Sequence, residues 1–498
     1  MELVILHTND THGQLTPVAD LAGRSLGGYA RRATFVRQQR EQHPDLLLLD
    51  AGDLYQGSRY WHAFRGEADI ELMNLLGYDA AALGNHDTDA GLEVLSARIR
   101  EARFPVMCAN MRFPNSHPLC DLWKPYHVVE VNGARVAIFS MLIDAMELYP
   151  AAFRESVEVR PYVDVASELV PHLRRQADAV ILLSHLGHTD DVRLAEHVTG
   201  IDLIIGGHTH TGLREAFMIN GTPLVRGIVG GPVVGKTVLS LTGGSRATVS
   251  EYDLHELNGN LPEDPQVLDV LERWNTHLPP EEVIGRLAYP IDTRSTTKNF
   301  AESAAGNLYV DALKAYYGAS VDATLVHMGT IRGERVFPAG PFTNHDLAEY
   351  HPFDNPPFLM DLTAPELKFV LERGVHELPE GRGAFLSIAG IRIEVDISRQ
   401  PQVIDRDHAR VITPGQRVVA ASQHGQPIDF TDESRVFRVV MDGYLGRGGL
   451  GYFVAKTARR KVQADTGGQA IIRWYFKRHG PVDPRVDGRI IVRGRWHG

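Results

Sequence analysis

Leu83-Gly84-Asn85-His86-Asp87-Thr88-Asp89 stands directly behind the apolar run 80–83. A short apolar run closed by a glycine reads as a buried strand, and the polar residues after it as the loop leaving that strand. The loop packs an amide, an imidazole and two carboxylates into residues 85–89. Alone, it fits either a turn that caps the next helix, with Asp87 as the expected cap, or a chemical site. The neighbouring strands decide between these.

Working outward, apolar runs recur at 3–6, 46–49, 136–139, 179–183 and 203–205, with helix-like segments such as 28–42, 69–76 and 166–175 between them. Strand–helix alternation predicts an α/β layered domain. The residues behind the runs are also alike. His7-Thr8-Asn9-Asp10-Thr11-His12-Gly13 follows the first, Asp50-Ala51-Gly52-Asp53 the second, Ser184-His185-Leu186-Gly187-His188 the fifth and Gly206-Gly207-His208-Thr209-His210 the last. Open α/β sheets bind ligands beyond the carboxyl ends of their strands.

The bulk composition sets limits. A chain of 498 residues is long for one domain. With 43% hydrophobic and 23% charged residues it is an ordinary globular composition. A net charge of −11 gives no global attraction to nucleic acid or anionic membrane. No apolar run approaches the roughly 18 residues that span a bilayer, and residues 1–7 do not read as a secretory signal. The expected compartment is the cytoplasm, or the periplasm or exterior if a signal has been removed. Cys108 and Cys120, the two cysteines, fit a reducing compartment and leave one disulfide open.

Near residue 255 the pattern changes. Residues 257–262 read as a turn, and 264–278 as a helix with Val267, Leu268, Leu271 and Trp274 on one face, stopped by Pro279-Pro280. This predicts three parts: a domain over 1–255, a linker helix or hinge over 256–282, and a second domain over 283–498. The second half mixes expected helices (301–317, 364–374) with strands (324–327, 358–362, 391–395, 437–441), an α+β pattern. The basic stretch 470–498, with seven Lys/Arg and two Asp/Glu, is expected to pack as a solvated tail rather than to bind nucleic acid.

Asp10, His12, Asp53, Asn85, His185, His208 and His210 make seven oxygen and nitrogen donors at five strand ends. That is too many for a four-coordinate structural zinc, and no cysteine takes part. Mixed donors of this kind suit two divalent ions bridged by a carboxylate, a pair that clamps the attacking and leaving oxygens in phosphoryl hydrolysis.

In order along the chain, these motifs resemble the signature of calcineurin-like metallophosphoesterases. The flanking residues Leu6-His7-Thr8-Asn9-Asp10 and Gly206–His210 resemble the 5′-nucleotidase family among them. The second half is similar to that family's C-terminal domain through Ala305-Gly306-Asn307-Leu308 and Gly448-Gly449-Leu450-Gly451-Tyr452. The resemblance implies a β-sandwich flanked by helices, followed by an α+β substrate domain. It implies one metal on Asp10, His12, Asp53 and His210 and another on Asp53, Asn85, His185 and His208, with Mn or Zn foremost and Fe or Co as alternatives. It further implies that His86 meets the phosphate and that Asp89 orients it. His7 and His188 match no role and are expected either to support the site or to be structural.

Arg332 and His327 are the expected substrate contacts, with Phe353 and Tyr444 as an aromatic clamp for a base. The chain departs from the family at Ala301, His327 and Leu450, where an arginine, an asparagine and a ribose-binding aspartate are usual. The implied activity is release of phosphate from nucleoside 5′-monophosphates or related nucleotides by metal-activated hydroxide. The alternative is a phosphodiesterase or nuclease acting on cyclic nucleotides, nucleotide sugars or nucleic acid. A small phosphoester is the only partner expected; membrane insertion and an obligate protein partner are not.

Overall fold

The computed structural model describes residues 1–20, 22–114, 117, 119–241, 246–381, 383–405 and 409–494. The chain divides into two compact units between Pro279 and Pro280.

Unit 1 is built on two six-stranded sheets. In chain order the principal strands are β1 (Glu2–Thr8), β2 (Leu47–Asp50), β3 (Ala80–Ala82), β4 (Val106–Met107), β5 (Tyr126–Val131), β6 (Ala134–Leu142), β7 (Ala179–His185), β8 (Leu203–Gly206), β9 (Phe217–Ile219), β10 (Thr222–Val225), β11 (Val233–Ser240) and β12 (Thr248–Glu256). One sheet runs β12-β11-β1-β2-β3-β4 and the other β9-β10-β8-β7-β6-β5. β1 to β4 are mutually parallel, as are β6, β7, β8 and β10.

Successive strand residues face opposite sides. Leu3, Ile5, Leu47, Leu49, Ile181 and Ile205 join one apolar cluster shared by both sheets, while Val4, Leu6 and Leu48 join the cluster under the first sheet's helices. Both faces of the parallel strands are therefore covered, which is why they read as continuous apolar runs. The result is the expected layered α/β sandwich with helices outside. Register sets the strand ends level: Thr8 pairs with Asp50, Asp50 with Ala81, and Ser184 with Gly206.

The segment read as a linker belongs to unit 1. Helix Pro265–Asn275, capped by the Asp264 side chain, buries Val267 and Leu271 in the unit 1 core beside Val270 and Trp274. Leu268, expected on that face, is 41% exposed. Tyr60 Oη donates to Asn275 Oδ1 (2.7 Å), and Arg37 ion-pairs with Asp264. The boundary therefore falls at the Pro279-Pro280 pair, not across 256–282.

Unit 2 centres on a five-stranded sheet of β13 (Ala323–His327), β14 (Phe358–Thr363), β15 (Leu386–Ala389), β16 (Val436–Met441) and β17 (Arg459–Gln463), in the order β15-β13-β16-β14-β17. Helices Ala304–Tyr317, Ala364–Val375 and Gly468–His479 bury their apolar faces in the same core. Within the basic 470–498 stretch, residues 470–479 complete the last of these helices, and Pro481–Val482 and Ile490–Arg493 are strands. Both cysteines are free thiols. Among the described residues no helix is long and apolar enough to cross a membrane.

Candidate functional site

The parallel strands of unit 1 deliver their polar loops to one end. Two donor groups form there: Asp10, His12, Asp53 and His210, and Asp53, His185 and His208, with ligand atoms within 4.8 Å of one another in each. Asp53 is common to both. Asn85 joins the second group through Oδ1, 2.9 Å from His208 Nδ1.

Backbone hydrogen bonds hold the loops together. Asp10 N–H donates to Gly52 O, and His12 N–H to Asp53 O. His208 N–H donates to Asp10 Oδ1 at 3.0 Å, and His86 N–H to Asp53 Oδ1 at 2.8 Å. Four donors, Asp10, His12, Asp53 and His208, have φ between 48° and 65°. Left-handed backbone at a non-glycine residue costs on the order of 1–2 kcal/mol, and such strain collects at functional sites.

The donor set fits divalent cations on the evidence of its own atoms. His185 Nδ1 bonds Ala51 O at 2.8 Å, which aims Nε2 at Asp53 Oδ2, 3.2 Å away. Neither atom makes a hydrogen bond, although Asp53 is 1% exposed and His185 0%. His12 Nδ1 bonds Gln56 O, and its Nε2 lies 3.2 Å from His210 Nε2. Imidazoles fixed through one nitrogen by backbone carbonyls are set up as metal ligands through the other. Burial pushes the His185 pKa down, but the Asp53 carboxylate outweighs it and carries it up to about 10. A proton there holds the place of a cation.

Beside this cluster, His86 Nδ1 meets Asp89 Oδ2 at 2.8 Å, and the His86 ring lies edge-on to His12 at 5.6 Å. Unit 2 brings its four expected residues into pairs. His327 lies 5.4 Å from Tyr444, ring to ring, and Arg332 Cζ lies 5.4 Å above the Phe353 ring. Burial lowers the His327 pKa, opposed by Asp442 and reinforced by Arg332 and Lys298, so these groups share one neighbourhood. At the two remaining departures from the resemblance, Ala301 is exposed and Leu450 packs against the unit 2 core.

Residues 3–212 match the calcineurin-like phosphoesterase family, and residues 283–457 match the 5′-nucleotidase C-terminal domain. A 5′-nucleotidase of Mus musculus is 29% identical over 543 residues, spanning 100% of this chain and 91% of its own. A snake venom 5′-nucleotidase of Naja atra is 29% identical, spanning 98% of each. The crystal structure of a 5′-nucleotidase precursor from Thermus thermophilus, 28% identical, matches with a TM-score of 0.86 over 99% of both chains. The chain belongs to the 5′-nucleotidase family of calcineurin-like phosphoesterases. It is a hydrolase of phosphoesters.

Within this nucleotidase-family site, two residues play parts that the sequence did not reveal. Asp87 does not cap the next helix, whose N-cap is Gly91 without a side-chain bond. It is buried, and it accepts N–H bonds from Gly84 (2.8 Å) and Asp53 (3.1 Å) on Oδ2 and from Leu54 (2.8 Å) on Oδ1. It ties the loop of Asn85 and His86 to that of Asp53. Asn9 was also missed. Its Nδ2 donates to Asp10 Oδ2 at 2.7 Å and its Oδ1 accepts from Gly227 N. The available signal was the polar residue beside each donor at a strand end. His7, expected to support the site or to be structural, is fully buried, its ring stacked on Tyr252 and neither nitrogen hydrogen-bonded. His188 starts helix His188–His197, and its N–H donates to Thr209 Oγ1 between His208 and His210.

Proposed function

We propose that this chain releases phosphate from nucleoside 5′-monophosphates or related nucleotides. The observation that carries the reading is the sharing of Asp53 by two donor groups beside the His86–Asp89 pair. Asp10, His12, Asp53 and His210 would hold one divalent ion, and Asp53, Asn85, His185 and His208 the other. Imidazole, carboxylate and amide together suit Mn²⁺ or Zn²⁺, and also Fe or Co²⁺. Once bound, such ions polarise the phosphoryl oxygens and acidify a water towards neutral pH.

The chain's own groups do the rest. The Asp89 carboxylate anchors His86 through Nδ1 and fixes the orientation of its ring. The Nε2 edge of the ring is then held ready for the charge that develops on the phosphoryl oxygens. In unit 2, Arg332 offers a planar guanidinium suited to bidentate phosphate binding, and Tyr444 and Phe353 offer ring faces to a base. Leu450 supplies no acceptor for a ribose hydroxyl, so sugar recognition is expected to be weaker by about 1–3 kcal/mol per unpaired hydroxyl.

The test is phosphate release from AMP by chelator-stripped protein reloaded with Mn²⁺ or Zn²⁺. Asp53→Ala and His86→Ala are each expected to lose about a hundredfold or more in rate. Wild-type rates in either variant reject the assignment. Faster turnover of bis-p-nitrophenyl phosphate or single-stranded DNA than of any monoester replaces the monoesterase reading with the diesterase one.

A further inference from the structure

Away from the donor cluster, unit 2 carries a group of like charges. Residues 434–464 hold seven Lys or Arg and one carboxylate, Asp442, in a chain of net charge −11. Folding brings two of these cations to the Phe358 ring and the backbone of a third, Lys456, beside them. Lys461 Nζ lies 4.8 Å and Arg447 Cζ 6.0 Å from the ring centre, and Lys461 Nζ reaches the Lys456 carbonyl at 3.5 Å. Arg447 also donates to Asn355 Oδ1 at 3.0 Å. The nearby carboxylate on the same sheet, Asp361, is taken by Arg438 and Arg460. Among the described residues, neither Lys456 nor Lys461 has an acidic partner.

Charges of one sign gathered together repel one another. Burial, followed by repulsion from Arg447 and Lys456, pushes the Lys461 pKa down. An anion brought to this place would relieve both effects. The strand that carries Lys461, β17, is the edge of its sheet, and Arg447 and Lys456 are exposed.

The position of the cluster points to the anion. The 446–451 loop, which carries Arg447, leads from Tyr444 towards Lys456. The Tyr444 ring presses on Gly449, where an added Cβ would lie 2.5 Å from Cζ, and the Lys456 stem presses on Gly448, where an added Cβ would lie 2.6 Å from Cε. Neighbouring glycines therefore seat the expected base-binding ring and the first lysine side by side. Lysines bind phosphate as point charges and need no bidentate geometry.

We infer that Arg447, Lys456 and Lys461 bind a second phosphate of the substrate, carried beyond the nucleoside that Tyr444 contacts. The ligand class is a nucleotide with a phosphate besides the one cleaved. A nucleoside 3′,5′-bisphosphate supplies it as a free monoester, and a 5′-phosphorylated dinucleotide as an internal diester. The inference rests on the nucleotide reading above.

Steady-state kinetics with Mn²⁺ compare AMP, adenosine 3′,5′-bisphosphate and 5′-phosphorylated diadenosine on the wild type and on K456Q/K461Q. The readout is the ratio of each KM to that of AMP. In the wild type at least one larger substrate is expected to show a KM about tenfold below that of AMP, and in the variant the advantage shrinks to about twofold. An advantage for the bisphosphate alone identifies a free phosphate as the ligand; an advantage for both shows that any phosphate serves. No advantage for either, or one that persists in the variant, overturns the inference. If the double variant does not fold, K456Q and K461Q are measured singly, and unchanged ratios in both overturn it. If no substrate releases phosphate with any metal, the hydrolase reading fails, and calorimetric titration of adenosine 3′,5′-bisphosphate decides this one separately. About tenfold weaker binding to the variant supports it, and equal binding refutes it.

Discussion

Removing the Asp87 carboxylate is the most direct way to separate the positioning of the donors from the donors themselves. Asp87→Ala leaves three buried N–H groups, of Gly84, Asp53 and Leu54, without their acceptor. Each unsatisfied buried donor costs about 1–3 kcal/mol. Partial relaxation and entry of water into the space left behind bring the expected loss to about 3–5 kcal/mol. Asp87→Asn can keep its oxygen on the Gly84 and Asp53 N–H groups but turns an NH₂ towards Leu54 N–H, for an expected loss of about 2 kcal/mol. Because one carboxylate ties the Asn85 loop to the Asp53 loop, both variants should also bind metal about ten- to a hundredfold more weakly. Urea unfolding of the chelated proteins measures the first effect, and calorimetric titration with Mn²⁺ the second. An alanine variant within about 1 kcal/mol of the wild type would refute the hydrogen-bond count. Lost stability with unchanged metal affinity would refute the positioning role.

Three further outcomes follow from the same geometry. Since Asp53 carries the His185 pKa up to about 10, the metal-free protein keeps this stabilisation below the unfolded histidine value, about 6.5, and loses it as pH rises through 10. Metal binding near pH 8 should therefore expel about one proton per chain, measured by calorimetry in buffers of different ionisation enthalpy; no dependence on buffer would contradict it. The Asp69 carboxyl, buried with neither oxygen hydrogen-bonded, is pushed up to about 8 by burial. The folded state thus holds an extra proton between about pH 4 and 8, and stability should fall with rising pH across that window by at most about 1.4 kcal/mol per unit. Asp69→Asn should flatten the fall, read from urea midpoints at pH 5 and pH 9, and equal slopes in both proteins would count against it. Gly84→Ala places a Cβ against Asp53 N and Oδ1; it should abolish metal-dependent turnover, and a variant with native kcat would show that the loop yields without loss.

The strands of unit 1 and the donors behind them were legible because the two signals coincide. Parallel strands covered on both faces must be apolar throughout, so each run stops abruptly where the loop begins. The linker was misread because its amphipathic helix has the same periodicity whether it packs at home or joins domains. Its docking, through Val267, Leu271 and Asn275, depends on residues some 200 positions earlier. The basic group at Phe358 was overlooked for a similar reason: Arg447, Lys456 and Lys461 are spread along the sequence and meet only through a loop and an edge strand.

The sequence by itself determined the reaction class, because donor chemistry is a property of side-chain type and all seven donors stand in recognisable strand-end motifs. Only the tertiary structure decided how those donors are held. The left-handed backbone of Asp10, His12, Asp53 and His208 persists because hydrogen bonds between loops outweigh its local cost. In Gly84–Asp89 it divided the labour, with Asp89 steadying His86 and Asp87 binding two loops into one site. No local preference encodes those bonds, since their partners lie on separate strands and meet only when the sheets form.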